Sequence, residues 1–454
     1  MKVQARRGML SVVAVVLLCW LALGAGSAVA KPGQLDREFG QGGKVTARLG
    51  VLASSGLEPQ PQLALAGGGK LLAAIGTTIF KYDAAGEPDP GFGQGGLVTV
   101  PMPPDQKFKP SGIAIDHLGR ILLAGTTWSD NYTTNSWVSV YRFLPNGALD
   151  PSFAAGGVLT TYFGLPISSE RPPVFKDGSG YQFQFPVVTA SGLTVDSRGR
   201  PLITGSWVES QRFCYPGMYW DSHRGFVTRL QTNGSPDPSF NGSGVISDVG
   251  TEAAAFPSVG ADGKITVATS LVDCLRSSPA EPSLRRFLPG GQPDPGFGSA
   301  GRADVPFFEA PEVTVDRFGR PLLAAGVFEE EAVLLRRLAP NGHVNRRFGG
   351  LLPIGGSEIG LALGADRKGR ALLAMTRASK PSELMLIRRD RDGGADPSFG
   401  DLGRTFTSFA ADYQPAAVLV DGRGRIIVGA VTREYTPEGS QYSLALARFR
   451  GGRP

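Results

Sequence analysis

Five acidic residues stand near one offset ahead of a recurring apolar strand. Glu58, Glu252 and Glu358 share the offset, and Glu309 and Asp412 lie one residue from it. Carboxylates converging from five loops at one channel mouth would supply the hard oxygen donors that Ca²⁺ takes. Surface loops are also acidic for no special reason, so no cofactor is expected and Ca²⁺ is the ion the pattern would admit. Other reactive constellations are hard to assemble. His117, His223 and His343 are the only histidines, two of them in or beside turns and His223 in the segment CYPGMYWDSHRG. Neither a Ser-His-Asp relay nor a histidine metal site is evident, and no catalytic residue is nominated.

Aromatic side chains offer a different chemistry. The four tryptophans after residue 30 are Trp128, Trp137, Trp207 and Trp220, and they fall in the segments 126–137 and 206–224 together with Tyr215 and Tyr219. A third long segment, 162–190, adds Tyr162, Tyr181, Phe183 and Phe185. Rings give large contact area at little entropic cost, so these residues are the candidate binding set, directed at a cell-surface glycan or protein. The alternative is that the three insertions fold over each other as a small core. Cys214 and Cys274, the only cysteines beyond Cys19, are expected to form a disulfide bracing that region.

The elements that must position these residues are repeats. A stretch at 138–161, VSVYRFLPNGALDPSFAAGGVLTT, recurs along the chain, its Phe falling at Phe39, Phe92, Phe153, Phe240, Phe297, Phe348 and Phe399. A second element is a hairpin of the form D-x-x-G-R between apolar strands, as in IAIDHLGRILLAG and VLVDGRGRIIVGA. Its Asp caps backbone amides and its Gly supplies positive φ, so the aspartates are turn-formers and not calcium ligands. A third element ends a strand in a cation before a Gly turn, placing Lys81, Arg142, Arg229, Arg286, Arg337, Arg388 and Arg448 at one position. These seven are expected to pair with the carboxylates at Asp89, Asp150, Asp237, Asp294 and Asp396, with Asn345 as the departure, instead of forming a polyanion site.

The order LDPSFGxxGxV, DxxGRILLAG and xxRxxPNG resembles the delta-60 repeat family. The resemblance runs over residues 35–452 and implies an all-β fold: a seven-bladed β-propeller of four-stranded blades, related to NHL and kelch types, with no catalytic residues to carry over. The first copy, LDREFGQGGKVT, reads as the end of a repeat, and the last, SLALARFRGG, as a repeat missing that end. An N-terminal clasp strand is therefore expected to complete the last blade, with Asp36 serving Arg448. A solenoid would need capping ends instead.

Residues 1–30 read as a secretory signal: Lys2, Arg6 and Arg7, an apolar run at 9–23, and Ala28 and Ala30 ahead of a cut. Retention as an anchor is the rival reading, against which the run is short. Without the three basic residues the formal charge falls from +6 to +3, too balanced for a nucleic-acid partner. The expectation is thus an exported or cell-surface protein with a single domain over 31–454, monomeric and without a membrane span after cleavage. It would act as a non-enzymatic binding scaffold. The alternative is a propeller hydrolase, lactonase or lyase with a divalent metal at the channel mouth.

Overall fold

The computed structural model describes residues 31–51, 60–129, 136–165, 175–176, 182–183, 188–215, 218–249, 252–271, 283–305, 312–327, 330–356, 358–377, 379–437 and 439–452. Their strands group into seven antiparallel sheets of four and one two-stranded pair, Phe175–Lys176 with Gln182–Phe183. Labelled a to d from the centre outwards, blade 1 is Gln62–Ala66, Lys70–Ile75, Thr78–Tyr82 and Leu97–Thr99. Blade 2 is Gln106–Ile115, Ile121–Ser129, Ser136–Phe143 and Val158–Thr161, and blade 3 is Val188–Val195, Pro201–Tyr215, Met218–Arg229 and Val245–Ile246. Blade 4 runs Glu252–Val259, Ile265–Leu271, Ser283–Phe287 and Arg302–Asp304, and blade 5 runs Glu312–Val315, Pro321–Val327, Ala332–Arg337 and Gly350–Pro353. Blade 6 is Glu358–Ala365, Ala371–Arg377, Lys380–Arg389 and Arg404–Ser408. Blade 7 takes Asp412–Val420, Ile426–Thr436 and Gly439–Phe449, and its strand d is Lys44–Val51. The a strands touch in cyclic order, blade 7 meeting blade 1, so the sheets form a closed seven-bladed β-propeller.

Strand b of each blade is covered on both faces by neighbouring blades, which is why it reads as a continuous apolar run. Ile121–Ser129 and Ala371–Arg377 are buried along nearly their whole length. The core is accordingly divided into clusters that sit between blades. One joins Leu122 and Val138 of blade 2 to Ile203 and Phe226 of blade 3, and another joins Ile427 and Leu446 of blade 7 to Leu71 and Ala73 of blade 1. Small residues on the a strands set the spacing. A Cβ on Gly112 would lie 2.7 Å from Cβ of Leu193, so glycine there lets blade 3 close on blade 2.

The seven cations are buried, and all but Arg337, which has Asn345 in place of an aspartate, are paired with the repeat's carboxylate. Arg142 Nε lies 2.9 Å from Asp150, Arg229 2.8 Å from Asp237, Arg286 2.7 Å from Asp294 and Arg388 2.8 Å from Asp396; Lys81 Nζ lies 3.4 Å from Asp89. Each also donates to a carbonyl in the c–d turn of the next blade. Lys81 reaches Pro145 at 2.7 Å, Arg337 reaches Arg391 at 2.7 Å and Arg448 of blade 7 reaches Ala84 of blade 1 at 2.6 Å. Arg142, Arg229, Arg286 and Arg388 reach Thr232, Pro289, Pro340 and Gly451. The repeat's own Phe lies under the cation, as Phe153 does 4.7 Å from the Arg142 guanidinium. The result is a belt of charge-assisted hydrogen bonds that passes through every blade and returns to its start.

The c–d turn of blade 7 is assembled from two distant stretches of chain. Gly33 N donates to Arg450 O at 2.7 Å, Arg450 N to Gln34 O at 2.8 Å and Asp36 N to Arg448 O at 2.8 Å. The same three bonds are made in blade 2 by Gly147 to Leu144, Leu144 to Ala148 and Asp150 to Arg142. Strand d then pairs Lys44 with Ala447 through to Val51 with Gln441, with a bulge between Arg48 and Gly50.

Candidate binding face

Connections from b to c and from d to the next a emerge on one side of the disc, and the DxxGR and PNG turns emerge on the other. The turns are tight because Asp binds its own turn. Asp116 Oδ1 accepts from the amides of Leu118 and Arg120, and its Oδ2 lies 2.7 Å from Arg120 Nε. The opposite side carries the long segments. Much of what the sequence reads as insertions at 126–137 and 206–224 is strand. Blade 3 extends its b and c strands into a ribbon in which Val208 faces His223, Arg212 faces Trp220, Phe213 faces Tyr219 and Tyr215 faces Met218. In blade 2 the ladder continues to Trp128 opposite Ser136 and Thr127 opposite Trp137. Within 162–190, Phe175–Lys176 pairs with Gln182–Phe183.

The candidate aromatics divide. Trp128 and Trp137 are half-buried at the outer end of the blade 2 hairpin. Trp207 is 4% exposed, packed with Val188 and Phe226, and its indole donates to the Ser247 carbonyl at 2.7 Å. It is a packing residue, because strand b continues straight into the inter-blade core at that position. Tyr215, Tyr219 and Trp220 occupy the distal rungs of the ribbon, beyond the residues whose side chains are described. Cys214 belongs to strand Pro201–Tyr215 and not to a loop, while Cys274 lies outside the described residues.

Blade 7 contributes a cluster that sequence reading passed over. Its b and c strands also run long, and the Arg433 guanidinium sits 4.5 Å from the Tyr435 ring and 5.8 Å from the Tyr442 ring, with Nε bonded to Ser440 Oγ at 3.1 Å. Tyr435 is 68% exposed. The alternation in TREYTPEGSQYS was the available signal.

The acidic set is placed differently from the loop positions expected of it. Glu252, Glu358 and Asp412 open the a strands of blades 4, 6 and 7, where their register partners are Leu271, Arg377 and Arg433. Glu58 and Glu309 lie outside the described residues. Among the described residues no three of His, Cys, Asp and Glu are grouped as a metal would need. A further carboxylate, Glu312, opens strand a of blade 5, and burial pushes its pKa up to about 7. The buried ion pairs show the opposite balance. Burial raises Asp150, but hydrogen bonds from Ser152 and the charge of Arg142 outweigh it and hold the carboxyl below its usual range.

Two stretches, 119–153 and 260–297, match the family described as a domain of unknown function (DUF5122) beta-propeller, and 104–133 matches a beta-propeller repeat. With seven blades carrying the same three elements, the assignment is made. The chain is a propeller of delta-60-like repeats. No curated protein sequence matches this propeller significantly. Among solved structures it is similar to an unknown function protein from Dyadobacter fermentans, at 14% identity over 76% of this chain and 95% of that one, TM-score 0.42. It is also similar to the polysaccharide lyase Uly1, at 11% identity over 85% of this chain and 89% of that one, TM-score 0.41. A third likeness is to the Hadza microbial sialidase Hz136, at 11% identity over 84% and 73%, TM-score 0.39. Among the described residues of the propeller no helix is long and apolar enough to cross a membrane.

Proposed function

We propose that this propeller is an exported, non-catalytic binding scaffold that takes a cell-surface glycan or protein on the face bearing the long hairpins of blades 2, 3 and 7. The observation that carries the reading is the blade 3 ribbon, whose outer rungs set Phe213 opposite Tyr219 and Arg212 opposite Trp220. Aromatic and arginine residues on a raised, hydrogen-bonded ribbon are preorganised, so little entropy is lost when a partner covers them. Fold alone would not favour binding over catalysis.

The test is a Tyr219→Ala/Trp220→Ala double variant, screened on a glycan array and against intact cell surfaces. Binding should be lost while the melting temperature stays near wild type. A variant that unfolds early, or that still binds the same material, would show that these rings brace the hairpin instead. A stoichiometric divalent ion in the purified protein would favour a metal-dependent hydrolase, lactonase or lyase.

A further inference from the structure

We propose that the opposite side of the disc, the turn face over blades 5 to 7, docks on an anionic membrane surface. The periodic arginines do not contribute to such a surface, being buried. The exposed cations are distributed unevenly. Arg317, Arg367 and Arg423 are exposed at the a–b turn tips of blades 5, 6 and 7, with Lys368 half-buried beside Arg367. Arg346 and Arg347 are exposed where blades 2 and 3 carry Pro151-Ser152 and Pro238-Ser239. Arg367 donates to the Gly422 carbonyl at 3.2 Å, which orders it without neutralising its charge. Glu38, Asp390, Asp392 and Asp401 are acids among the same turns, and with Arg37 and Arg391 beside them the arc stays cationic. Over blades 1 to 4 the corresponding turns set Arg198 against Asp83, Glu87 and Asp262, while Lys70 and Lys264 are engaged by Asp89 and Asp294, so the excess of exposed cations is confined to blades 5 to 7.

Three features select a lipid surface over a soluble polyanion. The connections on this face are held close to the blades, the a–b turns by their own Asp and the c–d connections by folding back on strand c, as Leu149 does on Phe143. Apolar side chains stand out among the cations: Phe318, 45% exposed and held 4.9 Å from the guanidiniums of Arg317 and Arg320, and Leu402, 73% exposed. Cations spread over a plane with a few apolar side chains between them suit an anionic headgroup layer, where charge attracts and apolar groups enter the interface. Lys31 also joins the ring on this face, its neighbour Pro32 accepting from Gly400 N of blade 6 at 3.0 Å, and adds one more exposed cation to it.

The test uses the chain from Lys31 onward, which contains the whole ring, in co-sedimentation with vesicles. Phosphatidylcholine with about 30% phosphatidylglycerol should carry the protein down at low salt and release it at about 0.5 M salt, while pure phosphatidylcholine should not bind. The triple variant Arg317→Gln/Arg367→Gln/Arg423→Gln should bind about 100-fold more weakly, each cation near such a surface being worth roughly a factor of five. If the triple variant does not fold, Arg346→Glu/Arg347→Glu serves in its place. Equal sedimentation with both vesicle types, or variants that bind like wild type, would overturn the proposal. Retention on dextran sulfate without vesicle binding would assign the surface to an acidic polysaccharide and overturn it equally.

Discussion

Arg448 Nε lies 2.8 Å from Asp36 Oδ2, across a sequence separation of 412 residues. Both groups are buried, and Asp36 is approached in addition by Arg425 at 3.6 Å and Arg450 at 3.8 Å. Removing one partner of a buried pair strands the other, at a cost of about 3–5 kcal/mol. Asp36→Asn should therefore lower stability by that order in urea denaturation. Deleting residues 31–46 should go further, leaving the blade 7 edge unpaired and abolishing the single cooperative transition. A truncated protein that melts like the intact one would show that ring closure does not depend on this segment.

Blade 5 offers the converse experiment. Arg337 has Asn345 where the other blades have Asp, its Nε lacks a partner, and burial together with the charge of Arg320 pulls its pKa down to about 10. Asn345→Asp should restore the missing acceptor and stabilise by about 1–2 kcal/mol, read as a raised melting temperature at neutral pH. A paired carboxylate has a depressed pKa when folded. Its gain is present above the unfolded value of about 3.9 and is lost as pH falls, so variant and wild type should converge near pH 2–3.

Glu312 should make stability fall with rising pH. Its folded pKa of about 7 exceeds the ordinary glutamate value of 4.5, so between those values the folded state binds more protons than the unfolded one. Stability is then full below about pH 4.5 and declines as pH rises towards 7. Glu312→Gln should remove that decline and stabilise by about 2–3 kcal/mol at pH 8. A flat difference between variant and wild type over pH 5–8 would refute the shifted ionisation.

The cysteines carry a separate expectation. A Cys214 to Cys274 bridge closes a loop of about 60 residues, and its loss on reduction should cost about 4 kcal/mol by chain entropy. Free alkylation of both thiols in the native protein would exclude the bridge.

The repeats were legible because each element has a local physical cause: Asp and Gly make the turn, alternation sets the faces, and the cation at the strand end finds its own aspartate. Even the irregular Asn345 could be read. The acidic positions were not, since counting back from a strand assumes that every a strand runs without interruption. Bulges between Ala255 and Ser258, Glu358 and Gly360, and Pro415 and Ala417, in the blades of Glu252, Glu358 and Asp412, break that assumption. Trp207 was misplaced because a tryptophan at the base of a long hairpin looks like one at its tip until the register is known. The basic sector on the turn face was hidden for another reason. Spacing along the chain does not separate the buried Arg388 from the exposed Arg367, whereas burial does.

The two-part turn of blade 7 also bears on the order of folding. Blades 1 to 6 can form as consecutive hairpins while the chain emerges, but the strand beginning at Lys44 precedes all of them and has its partner in Gly439–Phe449, which follows all of them. Its edge stays unpaired until that partner has been made. Long-range pairing of this kind is slow and leaves aggregation-prone strand edges open in the meantime. Ring closure is then the meeting of two strands made with six blades between them, and a ribosome stall or truncation before Gly439 would yield six finished blades and no ring.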